Sequence, residues 1–71
     1  MNKNQLVAFH NKKDEPVSVL VEPWAHEIAL EPDQALTLKF SGPPDQTLEL
    51  HIEERTIVVF GWEGSNFEVL T

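Results

Sequence analysis

Residues that break regular structure recur about every ten positions along this chain, at Pro16, Pro23, Pro32, Gly42-Pro43-Pro44 and Gly61 with Gly64. Proline lacks a backbone N–H and clashes within a helix, so the short segments between these points are poor helix candidates. Their apolar residues recur at period two instead. Val17, Val19 and Val21 lie on one face of a strand, with Ser18, Leu20 and Glu22 on the other. Ile28 and Leu30 repeat the pattern, as do Leu36, Leu38 and Phe40, then Leu48, Leu50 and Ile52, then Phe67 and Val69. The opening Gln5–His10 segment carries a further short apolar run, Leu6-Val7-Ala8-Phe9.

One segment differs. Ile57, Val58, Val59 and Phe60 are consecutive and apolar, and three of them are β-branched. A run of this kind suits a strand covered on both faces, which predicts the centre of a sheet. The expectation is therefore an all-β chain with a single domain over residues 1–71, made of about seven short strands in a small antiparallel sandwich or partly closed barrel. Mostly antiparallel pairing is expected, because no connection is long enough for a helical crossover. Glu31-Pro32-Asp33-Gln34 places Pro and Asp where a type I turn prefers them, so Ile28–Leu30 and Leu36–Phe40 are expected to form a hairpin.

Chemistry is constrained by what is missing. With no cysteine, disulfide, thiolate-metal and thiol-redox roles are excluded. A chain this short lacks the usual covalent staple, so its stability rests on efficient packing, a ligand or a partner subunit. Self-association follows as an expectation. The net charge of −7 is unevenly placed: residues 1–13 carry Lys3, Lys12 and Lys13 and no acid, and the rest carries all 12 acids against Lys39 and Arg55. Such a surface repels phosphate backbones, which argues against nucleic acid as a partner. No basic stretch precedes an apolar run, and no window has the length to span a bilayer, so a cytoplasmic, bacterial-type protein with no membrane partner is expected.

The candidate catalytic constellations are weak. Gly61-Trp62-Glu63-Gly64-Ser65 puts its serine after the second glycine, which is not a nucleophile elbow, and it matches no phosphate-loop spacing. Paired carboxylates such as Glu22 with Glu27, or Glu53 with Glu54, need a cleft that this small scaffold has little room for. His10, His26 and His51 stand at no ligand-pair spacing, and only His26 with Glu27 or Glu31 faintly suggests a cupin-type site. No catalytic residue, metal ligand or cofactor is assigned. Trp24 and Trp62 are the candidates for contact, since each follows a breaker at the end of a Val-rich strand. Glu22, Glu63 and His26 are the polar groups beside them. The competing expectation is that both tryptophans plug the ends of the core, each indole N–H meeting a carbonyl.

The segments Val19-Leu20-Val21-Glu22-Pro23-Trp24, Glu31-Pro32-Asp33-Gln34-Ala35-Leu36-Thr37 and Gly61-Trp62-Glu63-Gly64-Ser65 together resemble a group of small uncharacterised bacterial all-β proteins. Those proteins share a Glu-Pro-Trp strand end and a late tryptophan turn. The resemblance spans nearly the whole chain and departs at Asp33, where glycine would be typical. It implies one intact domain and transfers no activity. The functional expectation is thus a non-catalytic binding or interaction domain that self-associates or binds another protein. A small-ligand or metal-binding protein of cupin-like character, using His26 with Glu22 or Glu27, is the alternative.

Overall fold

The computed structural model describes all 71 residues. It contains seven strands: β1 (Lys3–His10), β2 (Val17–Glu22), β3 (His26–Leu30), β4 (Ala35–Gly42), β5 (Glu49–Ile52), β6 (Thr56–Phe60) and β7 (Asn66–Val69). They form two sheets, one of three strands in the order β1-β4-β7 and one of four in the order β3-β2-β6-β5. The sheets do not close on each other, so the all-β expectation resolves to a sandwich. No helix is present that is long and apolar enough to cross a membrane.

The alternation read from the sequence sets the inner faces. Val19 and Val21 of β2, Leu36, Leu38 and Phe40 of β4, and Val59 of β6 are buried, and Leu30 and Trp62 complete the core. Burying one such aliphatic or aromatic side chain contributes roughly 1.5–3 kcal/mol, so these few positions carry most of the hydrophobic stabilisation. β4 is the strand most deeply set, with Leu36, Leu38, Phe40 and Gly42 all buried. β6 does lie inside its sheet, between β2 and β5. However, only Val59 of β6 is fully buried, and Val58 and Phe60 remain partly open on the outer face. The consecutive apolar run thus marks an interior strand with one covered face.

Two local expectations change. First, β3 and β4 do not form a hairpin; they belong to opposite sheets. Leu30 and Leu36 therefore reach the core from the two layers, with the Glu31–Gln34 turn crossing between them. Second, that turn is not type I. Asp33 has φ of 70°, and the Gln34 N–H donates to the Glu31 carbonyl at 3.0 Å. A positive φ at the third residue is a type II feature, which suits glycine best. This gives a backbone reason why glycine would be natural at position 33. The expectation of mostly antiparallel pairing holds for four of the five strand pairs. The exception is β2 with β6, which pair in parallel, Ser18 with Thr56 through Glu22 with Phe60. The chain leaves β2, visits the other sheet through β4, and returns, so no helix is needed for the crossover. The true hairpins are β2–β3 and β5–β6.

Asn11 joins the layers at one end. Its side chain is buried, donates from Nδ2 to the carbonyls of Glu15 and Leu30 (both 2.9 Å), and accepts from the Lys13 N–H at 2.9 Å. Its backbone N–H donates to Gln34 O, and its carbonyl accepts from the Asp33 N–H. One residue thereby ties the end of β1 to the end of β3 and to the crossing turn.

Candidate functional site

The parallel register of β2 and β6 brings their C-terminal ends to the same end of the sandwich. Gly61 N–H donates to the Glu22 carbonyl at 2.8 Å, so the corners Pro23-Trp24 and Gly61-Trp62 stand side by side. Phe40 lies between the two indoles, 6.3 Å from each ring centroid, and Phe67 packs 4.8 Å from Trp24. Gly61 makes room for this. A Cβ there would lie 2.8 Å from the Trp24 ring and from Ser65 Oγ.

The two tryptophans differ in burial. Trp62 is 5% exposed and belongs to the core, whereas Trp24 is 37% exposed. The Trp62 indole N–H is buried with no hydrogen-bond partner, contrary to the expected carbonyl. Gly42 leaves room for this nitrogen, since a Cβ there would come within 2.9 Å of Nε1. The Lys3 ammonium lies 5.0 Å from the Trp62 ring centroid, in cation–π range. Trp62 is therefore a packing residue, whereas Trp24 packs against Phe67 and Phe40 and stays partly open to solvent.

The polar neighbours are spread out. Glu22 Oε1 accepts from the Ala25 N–H at 3.1 Å, which supports the positive φ of 54° at Ala25. Glu63 is exposed, and its N–H donates to Gln46 Oε1 at 3.3 Å. His26 is exposed with its ring 5.5 Å from Phe67. Glu27 points to the opposite face of β3 from His26, where it accepts from Ser18 Oγ at 2.9 Å. His10 pairs with Asp33 at 3.4 Å, and His51 contacts Glu49. No three metal-ligating side chains converge anywhere.

A second region, not singled out from the sequence, lies on the flank between β1 and β5. Val7 and Phe9 pair with Leu38 and Leu36, so they face inward from the three-stranded sheet. Leu50 and Ile52 pair with Val59 and Ile57, so they face inward from the four-stranded one. Yet Leu50 is 44% and Ile52 79% exposed. The reason is a strand count: three strands lie over four, and nothing lies over β5. The flank is bounded at both ends by lysines. Lys3 Nζ donates to the Gln46 carbonyl before β5, and Lys13 Nζ donates to the Glu54 carbonyl after it at 3.2 Å. These contacts place β1 alongside β5, running in the same direction. The outer edge of β1 has no strand partner. Of the devices that blunt an edge, its eight residues hold one charged lysine at the first position, Lys3, and no proline, so the stretch from Asn4 to Phe9 is left without either.

A third region is a shallow cavity of about 430 Å³ at the end opposite the tryptophans, floored by Phe9, Val17, Leu30 and Ile57. Lys12 and Lys13 also line it, a cationic rim on an otherwise acidic chain, with His10 beside them.

The alternation of Leu48, Leu50 and Ile52 was legible in the sequence, but the absence of a strand above them was not. No family model matches this sequence, and no curated protein or solved structure is significantly similar to it.

Proposed function

We propose that this protein is a non-catalytic interaction domain that binds an extended strand along the flank between β1 and β5. The observation that carries this reading is the uncovered pair Leu50 and Ile52 beside the unpaired edge of β1. Strand addition takes its affinity from main-chain hydrogen bonds and its specificity from alternate side chains, and this flank offers both. The β1 edge would supply the ladder, and Leu50 with Ile52 would receive every second side chain. The lysines at either end favour a strand with acidic flanks. The tryptophan corners then serve the fold, with Trp24 as its partly open rim.

Panning a display library of short extended peptides tests this. Enrichment of alternating apolar sequences with acidic ends is expected, and Ile52→Lys should abolish it while leaving the melting temperature unchanged. Peptides that bind Ile52→Lys as well as the parent would place the site elsewhere and sink the reading.

The cavity at the other end supports a second reading, small-ligand binding. An apolar floor under a cationic rim fits an anion with an apolar tail. Dodecanoate is a suitable probe. It should raise the melting temperature, because a ligand that binds only the native state stabilises it, and Lys12→Glu with Lys13→Glu should remove the effect. An unchanged melting temperature at millimolar probe would eliminate this reading.

A further inference from the structure

The open flank has the shape of a notch with an overhang: β5 projects one strand beyond β1, and a strand's width is vacant beside β1 above β5. A second copy of the same chain carries the same projecting strand. We propose that two copies interlock, each seating its β5 in the other's notch, about a two-fold axis that runs parallel to the strands between the layers. The inference deepens the strand-addition reading above by naming the strand and its source.

The choice of axis follows from sterics. A two-fold perpendicular to the sheets would pair β1 with β1 of the partner subunit, but both projecting β5 strands would then occupy the same space below. A two-fold that joined β5 edge to edge with its symmetry mate would bring acidic strands together and leave Leu50 and Ile52 uncovered. Rotation about an axis parallel to the strands exchanges the upper and lower layers and fills both notches at once. Each three-stranded sheet gains the partner's four strands, giving two continuous seven-stranded sheets in the order β7-β4-β1-β5-β6-β2-β3. Leu50 and Ile52 of each copy then face Leu50 and Ile52 of the partner subunit across the layers, about 10 Å apart in backbone. The contact is isologous and closed, so it stops at two copies.

Strand direction and charge agree with this arrangement. β1 and β5 of one copy run the same way, and rotation about the strand direction preserves that sense, so the new β1–β5 pair is parallel. The fold already contains one parallel pair, β2–β6. The mating segments are oppositely charged: residues 1–13 carry three lysines and no acid, whereas β5 and its turn carry Glu49, Glu53 and Glu54 against Arg55, which is paired with Glu15 at 3.1 Å. Parallel pairing lays the basic ends of β1 beside the acidic ends of β5 from the partner. β5 is four residues long and fits between the two lysine contacts at the ends of the eight-residue β1.

Sedimentation equilibrium over a wide concentration range, with Ile52→Lys alongside, tests the proposal. The parent should be a monomer–dimer system, and Ile52→Lys should weaken it by about 100-fold or more, as for a charge buried against apolar surface. Ile52 is mostly exposed in one copy, so the variant should melt normally when dilute. The chain has no cysteine, so Ile52→Cys places a unique thiol near the axis. A short bismaleimide should cross-link it into dimers, and Glu27→Cys on the far edge should stay uncoupled. A strictly monomeric parent at millimolar concentration overturns the dimer. Peptides that still bind such a monomer at the flank would leave the strand-addition reading intact, and peptides that do not would remove both. A dimer that survives Ile52→Lys, or couples through Glu27→Cys instead, overturns the interlock.

Discussion

Asn11→Leu is expected to destabilise the fold by about 3–5 kcal/mol, although the substitution is close in size and adds apolar surface. The estimate follows from the groups left behind. The carbonyls of Leu30 and Glu15 and the N–H of Lys13 lose their partner together. A buried polar group stripped of its partner costs about 1–3 kcal/mol, and the Leu30 carbonyl is the most enclosed of the three. A domain of this length has only about 4–10 kcal/mol to lose, so a large unfolded fraction is expected without denaturant. Asn11→Asp makes the comparison sharper. It keeps an acceptor for the Lys13 N–H and loses both donors, so it should fall nearly as far. Urea unfolding with linear extrapolation reads both values. A loss below about 1 kcal/mol for Asn11→Leu would mean that water or loop movement satisfies those carbonyls.

Phe40→Ala is expected to be at least as damaging, at about 3–5 kcal/mol. Phe40 is fully buried at the middle of the aromatic end, where it touches Trp24, Trp62 and Phe67. Removing its ring opens a cavity that the sheets cannot close, because β4 is held by β1 on one side and β7 on the other. Phe40→Leu should lose only about 1–2 kcal/mol, since most of the volume is kept. Near-ultraviolet circular dichroism reports the same event through the two indoles. Phe40→Ala should flatten that signal even under conditions where strands persist. An alanine variant with native stability and an unchanged indole signal would show that Phe40 is not the keystone of that end.

Both residues illustrate how much of the molecule could be read in advance. Phe40 was legible, because it alternates with Leu36 and Leu38 and must share their face. Asn11 was not. It lies in a polar stretch, Asn11-Lys12-Lys13-Asp14-Glu15, whose composition reads as an ordinary loop. Its importance comes from carbonyls 4 and 19 residues away in sequence, which only the folded chain brings to it. The hairpin expected between Ile28–Leu30 and Leu36–Phe40 failed for a related reason. Two alternating segments joined by a short turn are compatible with pairing in one sheet or with facing each other across a core. Asp33 at positive φ and the Asn11 clamp send the chain across.

The candidate site divides in the same way. Trp24 and Trp62 stand out in the sequence because each follows a breaker, and the parallel β2–β6 register places them at one end with Phe40 between. Their burial could not be read from the sequence, since a tryptophan after a strand is equally suited to a rim or a plug. Trp62 proves to be the plug. Leu50 and Ile52 show the opposite outcome: apolar residues at period two that stay exposed because the facing sheet is one strand short.

The sequence by itself determined the class of this protein. Period-two apolar residues and closely spaced breakers admit strands and little else, and they decided which side chains face the core. The tertiary structure alone decided which strands share a sheet, that β2 and β6 run parallel, and that β5 is left uncovered. The physical reason is that side-chain alternation is a local property of the backbone, whereas strand partners and missing neighbours depend on contacts between residues far apart in the chain.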